Sequence, residues 1–273
     1  MAAKFELHGR VALVTGAAGG IGAALSLALA DRGCGLALVD RDPAGLAATA
    51  RAAAAKGVAV SEHVVDLADP QAILALPEAV NGRHGALHVL VNNAGVALGG
   101  RFAEVDLADV AWLMDINLHA VMRMTHAFLP MLNAAGPAQI VNLSSIYGIV
   151  APAGQAAYSA SKFAVRGFTE ALRHEYAGTP LGVTLVHPGG VATGIARSAR
   201  TPRAGDATLI AAGVAALERK LTMKPEEAAR IILAGIEARA PRVIVGADAR
   251  RVALIQRLMP VRYWSLLRRA IEG

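Results

Sequence analysis

A single cysteine, Cys34, is all the thiol chemistry in this 273-residue chain. One thiol closes no intramolecular disulfide and matches no zinc-binding spacing, so the fold is expected to stand without staples in a reducing, cytoplasmic setting. Aromatic residues make up only 4% and charged ones 18%, against 55% apolar. That balance excludes disorder and favours a large core built from small and aliphatic side chains. Long apolar runs are also missing: no uncharged run stays apolar over the roughly 18 residues of a membrane span. Residues 1–10 carry charges and a histidine where a secretory leader would be apolar. Acids run short toward the end, where eight arginines from Arg239 onward face only Asp248 and Glu272. This surplus equals the whole net charge of +6. The first 238 residues are therefore neutral in sum, and the basic character belongs to a tail rather than to a nucleic-acid-binding surface.

What is present is alternation. Short apolar runs at 11–14, 36–39, 58–65, 87–91, 140–143, 183–186 and 243–245 read as strands. Between them lie helical stretches at 20–32, 43–56, after the Asp69-Pro70 cap, 106–133, 155–176 and 225–238. Pro130 is expected to disturb the last turns of the long fourth stretch, and Pro260 to break a helical tail. Seven strands separated by helices imply βαβ units, hence an α/β fold of three layers with a parallel sheet between helices. No repeat, linker or low-complexity segment divides the chain. Residues 1–247 read as one domain and 248–273 as its basic, amphipathic helical tail.

Thr15-Gly16-Ala-Ala-Gly19-Gly20-Ile21-Gly22 joins the first strand to the first helix. The unpaired amides and positive dipole end of a helix start can hold a pyrophosphate, and glycines let the backbone approach it. Asp40 ends the second strand 24 residues after Gly16. A carboxylate there can accept from both adenosine ribose hydroxyls and repels a 2′-phosphate, which favours NAD(H). Arg41 follows directly and could offset that repulsion, so NADP(H) stays open. The first domain is thus expected to bind a dinucleotide.

Tyr158-Ser-Ala-Ser-Lys162 puts a phenol and an ammonium on one helix face. The lysine charge is expected to favour the tyrosinate and make Tyr158 a general acid and base. The eight histidines are scattered along the chain, and no metal is expected.

Taken together, Thr15-Gly-x-x-x-Gly-x-Gly22, Asn92-Asn-Ala-Gly95, Asn117, Ser144-Ser145, Tyr158-x-x-x-Lys162 and Pro188-Gly189 with Thr193 closely resemble the short-chain dehydrogenase/reductase family in its shorter form. The resemblance covers about residues 8–245. It implies a seven-stranded Rossmann-type domain, nicotinamide-dependent hydride transfer and a homo-oligomer, dimer or tetramer. It also implies that Tyr158 exchanges the proton, Ser145 hydrogen-bonds the reacting oxygen, and Lys162 holds the nicotinamide ribose and tunes Tyr158. Asn117 would hold a water for a proton relay. Asp66 and Leu67 would lie beside the adenine, Asn93, Ala94 and Gly95 under the adenosine ribose, and Pro188, Gly189, Val191 and Thr193 around the carboxamide. His187 departs from the Asn that many members carry before Pro-Gly, and reads as tolerated at a strand end.

Val96, Leu98, Ile146, Ile149, Val150 and Pro152 suggest an apolar wall, hence a small-molecule substrate that is a hydrophobic secondary alcohol or ketone, lipid-like and steroid-like ones included. Arg197, Arg200 and Arg203 could meet an acidic group such as a CoA phosphate, or form a solvated lid. Leu254, Ile255, Leu258, Tyr263 and Trp264 interleave with arginines in the tail, which suits packing over the cleft or on a neighbouring subunit before contact with an anionic membrane. A protein with this fold that senses the cofactor without catalysis, or sits on a membrane surface, is the competing reading. The intact Tyr158, Lys162, Ser145 and Asn117 weigh against it.

Overall fold

Strand β1 (Val11–Thr15) turns Leu13 to one face of a sheet and Ala12 and Val14 to the other, and all three are fully buried. An extended chain alternates its side chains between faces, so an apolar run of this kind is satisfied only by packing on both. The protein is described from a computed structural model, for residues 4–202, 213, 215 and 218–272. The further strands are β2 (Gly35–Asp40), β3 (Val60–Val64), β4 (Val89–Asn92), β5 (Ala138–Leu143), β6 (Leu181–Pro188) and β7 (Arg242–Val245). The helices that cover or flank the sheet include α1 (Gly20–Ala30), α2 (Pro43–Ala54), α3 (Pro70–His84), α4 (Leu107–Met114), α5 (Ala120–Ala134), α6 (Ala156–Glu175), α7 (Pro225–Glu237), α8 (Ala247–Leu258) and α9 (Tyr263–Glu272).

All seven strands run parallel in the order β3-β2-β1-β4-β5-β6-β7. The chain winds outward from β1 to β3, then returns to place β4 on the other side of β1. At such a switch point the carboxyl ends of the strands diverge and leave a crevice. One helical layer packs Leu25, Leu46 and Ile232 from α1, α2 and α7 against Val14, Leu36 and Leu38. The other packs Ile73, Phe128 and Leu172 from α3, α5 and α6 against Leu13, Leu90 and Ile140. This is the seven-stranded Rossmann-type arrangement expected from the sequence.

Three of the helix starts follow their local signals. Asp42, Asp69 and Asp106 each accept from the backbone amide two residues on, and proline occupies the first turn of α2 and α3. The single helix expected over 106–133 is instead interrupted by a π-helical turn, Asp115–His119, which holds Asn117. Pro130 does not disturb α5, which runs on to Ala134 with Met124, Phe128 and Leu132 buried around it. The tail breaks around Pro260 as expected, between α8 and α9. Among the described residues, no helix is long and apolar enough to cross a membrane.

Candidate active site

Thr15 ties the end of β1 to the end of β4 at the switch point. Its hydroxyl accepts from the amides of Asn93 and Ala94, both at 3.0 Å, and the Asn93 side chain donates back to the Thr15 carbonyl at 2.8 Å. Gly16 then turns with φ +67°, and a Cβ there would lie 2.8 Å from Nδ2 of Asn93. Glycine alone fits such a seat without strain. Helix α1 begins after Gly19 with no side chain capping its first-turn amides, and the space a Gly19 Cβ would enter is open. Unpaired amides, a positive dipole end and an unobstructed approach fit a dinucleotide pyrophosphate.

Asp40 stands beside this turn and helps to shape it. Its Oδ2 accepts from the Ala18 amide at 2.9 Å and its Oδ1 from the Asp42 amide at 3.1 Å. Each carboxylate oxygen keeps another lone pair, so a ligand hydroxyl can still be accepted. Gly16, Gly19, Gly20, Ile21, Asp40, Asn93, Ala94 and Gly95 line a cleft of about 400 Å³. Arg41, Asp66 and Leu67 line a side pocket of about 140 Å³ that shares the Gly16, Asp40, Ala94 and Gly95 walls. Gly22 lies beneath the surface, where a Cβ would collide with the Gly16 carbonyl.

The far end of the same cleft is lined by Ser145, Tyr158, Lys162, Pro188, Gly189, Val191 and Thr193. The two serines at the end of β5 diverge. Ser144 donates to the Lys162 carbonyl at 2.8 Å and so fastens α6 to the sheet, while the Ser145 hydroxyl hydrogen-bonds Tyr158 and accepts from the Tyr147 amide at 3.1 Å. Tyr147 also meets the Tyr158 ring edge to face at 6.0 Å.

The electrostatics correct one expectation. Burial pushes the Tyr158 phenol up to about 12, with the Ser145 hydrogen bond pulling it down and Tyr147 pushing it up. Burial also pushes Lys162 down, to about 8. The lysine nitrogen lies 5.8 Å from the Tyr158 ring centroid and donates to the Leu143 carbonyl at 3.2 Å. Lys162 therefore does not bring the phenol into the neutral range. Desolvation dominates both groups, and each is pushed toward its neutral form.

Asn117 does not line the cleft but braces it from below. Fully buried, its Oδ1 accepts from the Val96 amide at 2.8 Å, and its Nδ2 donates to the Val96 carbonyl at 3.0 Å and to Ser161 Oγ at 3.1 Å. The side chain is thus spent on joining the segment after β4 to α6, and the π-helical turn is what aims it there. Beneath it runs a polar contact chain that sequence reasoning missed. Asn92 donates to Asn142 at 2.8 Å and Asn142 to Thr169 at 3.0 Å, all three buried. Apolar neighbours hid Asn142 and Thr169 in the sequence as ordinary strand and helix positions.

His187 is more than tolerated. It is fully buried, and Nδ1 lies 2.8 Å from the Ser145 carbonyl, which can only accept, so Nδ1 carries the proton. Burial pushes the imidazole down to about 4.

Of the expected apolar wall, Leu98, Ile149 and Val150 are buried without lining the cleft, while Val96 lines its side pocket. Arg200 is not a free anion receptor, although its side chain stays exposed. It pairs with the nearly buried Asp109 at 2.6 Å and lies 3.7 Å over the Trp112 ring. Arg197 pairs with Glu218 at 2.9 Å, and Arg203 lies outside the described residues. Leu143, Ile195 and Ser198 also line the cleft, and Ile116 and Val65 its side pocket. None of these five was singled out as a site residue in the sequence, because each approaches through the path of the chain rather than through a motif.

Comparison with known proteins agrees with this geometry. The sequence profile for short chain dehydrogenases matches residues 10–204. The Mycobacterium tuberculosis protein SadH, named as an oxidoreductase, is 42% identical over 265 residues, covering 96% of this chain and 95% of its own. A short-chain dehydrogenase/reductase from Burkholderia phymatum, solved in complex with NAD, superposes with a TM-score of 0.87 at 30% identity, covering 93% of this chain and 95% of its own. An alcohol dehydrogenase from Thermococcus sibiricus, solved with 5-hydroxy-NADP, gives 0.75 at 26% identity, with 86% and 95% covered. With its switch-point cleft, glycine-lined helix start and Ser145–Tyr158–Lys162 group, the chain belongs to the short-chain dehydrogenase/reductase family of oxidoreductases.

Proposed function

We propose that the protein interconverts a hydrophobic secondary alcohol and its ketone, with NAD(H) preferred over NADP(H). A nicotinamide nucleotide supplies or takes the hydride. The amides at the start of α1 would hold its pyrophosphate, and Asp40 its adenosine ribose, with Asp66 and Leu67 beside the adenine. Asn93, Ala94 and Gly95 would support the ribose from the β4 side, and Pro188, Gly189, Val191 and Thr193 would border the carboxamide. Lys162 would meet the second ribose.

The observation that carries this reading is that Ser145, Tyr158 and Lys162 line one end of the cleft whose other end holds Gly19 and Asp40. In the reducing direction, Tyr158 gives its proton to the carbonyl oxygen while the Ser145 hydroxyl steadies that oxygen. A phenol pushed up to about 12 holds its proton at neutral pH, which suits this step. In the oxidising direction Tyr158 must first lose the proton, so that rate should climb with pH. The Asn117 brace fixes the segment after β4 against α6, the helix that carries Tyr158 and Lys162.

An apolar substrate is supported by Leu143 and Ile195 in the cleft wall, and NAD(H) by the acidic Asp40 and by the NAD held in the Burkholderia phymatum relative. Assembly as a homo-dimer or homo-tetramer belongs to the same reading, with residues 1–247 as the dinucleotide-binding and catalytic domain. Replacing Tyr158 by Phe is the test: turnover of secondary alcohols should vanish while NADH binding persists. Retention of more than about a tenth of kcat would remove Tyr158 from its role.

A further inference from the structure

We propose that the C-terminal segment is a working part of the active site, in which Asp248 holds the turn 188–190 at the nicotinamide end and Tyr263 holds the loop after Gly148 at the substrate end. Both are positioning residues, and the inference rests on the reading of the cleft given above.

The first contact is built into its surroundings. Asp248, in the first turn of α8, accepts from the Gly190 amide through Oδ2 at 2.9 Å. A Cβ on Gly189 would lie 2.5 Å from that oxygen, and one on Gly246, where φ is +105°, would collide with Oδ1. A side chain at either glycine would thus crowd the carboxylate, which is itself exposed. The turn it holds is fastened at two further points, with Gly189 donating to Val245 at 2.9 Å and the Gly190 carbonyl accepting from Met223 at 3.0 Å. Pro188 and Gly189 face the cleft from this turn. Asp248 is one of two acids in a tail of six arginines, and its carboxylate meets the Gly190 amide.

The second contact is independent of the first. Tyr263 opens α9, and its hydroxyl accepts from the Ala151 amide at 3.0 Å. The loop that carries Ala151 follows the buried Ile149 and Val150 and is tied onward, its Gly154 carbonyl accepting from Gly100 at 3.0 Å. Gly99 in turn donates to Arg200 at 3.1 Å, and Arg200 to Ala97 at 3.0 Å. The rim of the substrate side is therefore one hydrogen-bonded chain of loops, and the tail holds one end of it. A backbone group freed at either point would loosen the wall that positions the ligand.

The test uses the full chain with Asp248→Ala, Asp248→Asn and Tyr263→Phe. Three quantities are measured: the NADH dissociation constant from nicotinamide fluorescence, KM for aliphatic secondary alcohols of increasing length, and amide hydrogen exchange by NMR. Asp248→Ala should raise the NADH constant about tenfold, and Asp248→Asn, whose carboxamide oxygen still accepts, should restore most of it. Tyr263→Phe should leave NADH binding unchanged and raise KM about fivefold for the longer alcohols. Exchange should quicken at Gly190 in the first variant and at Ala151 in the last. Faster exchange with unchanged NADH and alcohol constants would make both contacts mere fastenings of the tail and overturn the proposal, as would no change in any quantity. Failure of the unsubstituted protein to bind NADH or NADPH would overturn the reading of the cleft and this proposal with it. That case is recognised by exchange effects that persist without any binding.

Discussion

The imidazole of His187 donates through Nδ1 to the carbonyl of Ser145 at 2.8 Å, and its Nε2 is buried with no hydrogen-bond partner among the described residues. A second ring proton would therefore have nothing to donate to. Burial pushes the group down to about 4, opposed by the Ser145 carbonyl and Glu170 and aided by Arg242 and Arg166.

A histidine depressed in the fold binds its proton more readily in the unfolded chain. Its contribution to stability is thus present above the ordinary value of 6.5 and is lost as pH falls from there toward about 4. Urea unfolding should reveal about 2 kcal/mol less stability from this group at about pH 5 than at about pH 7. His187→Asn, whose carboxamide can also donate to Ser145, should flatten that slope and keep the neutral-pH stability. An unchanged slope would show that His187 is not held neutral.

Lys162 illustrates a cost of function. Its ammonium is buried and pushed down to about 8, so below that value the folded protein carries a charge that burial opposes. The unfolded chain binds this proton more tightly, so the group contributes stability that grows as pH rises from about 8 to 10.5 and is absent at pH 7. Lys162→Met should gain about 1–3 kcal/mol at pH 7 by thermal or urea unfolding while losing turnover. A less stable variant would mean that the hydrogen bond to Leu143 outweighs the desolvation.

Arg200 makes the opposite case. Its partner Asp109 has a side chain only 8% exposed, so removing the guanidinium leaves a nearly buried carboxylate alone. Arg200→Ala should cost about 2–4 kcal/mol in urea unfolding, and Arg200→Lys should recover only part, since a lysine lacks the planar group that lies over Trp112. A loss within about 0.5 kcal/mol would put this pair among ordinary surface ion pairs.

The order of strands and helices was legible because every buried strand lacks polar alternation and three helices open on an Asp cap. The glycine turn and the Tyr158–Lys162 spacing were legible for a similar reason: local chemistry demands those residue types at those intervals. What was not legible depends on depth and on long-range partners. Periodicity cannot reveal that the helix through Asn117 takes an extra residue in one turn, since the bonds this turn aims at Val96 join segments 21 residues apart in sequence. The shift of Tyr158 could not be read from its spacing to Lys162, because burial outweighs a charge whose distance the sequence does not give. Arg200 read as an anion receptor or a lid residue because its partners Asp109 and Trp112 lie about 90 residues away in sequence, and Asp248 read as one more charge in a basic tail.

The most direct test of the account is a fluorescence titration with NADH and NADPH, for the unsubstituted protein and for Asp40→Ala and Asp40→Asn. NADH should bind at least about tenfold more tightly than NADPH. Asp40→Ala should weaken NADH binding and erase the preference, partly by freeing the Ala18 amide. Asp40→Asn keeps a side-chain acceptor and should erase the preference with a smaller loss. Equal binding of the two nucleotides before substitution, or a preference that survives both changes, would contradict the role given to Asp40, and binding of neither would contradict the nucleotide site itself.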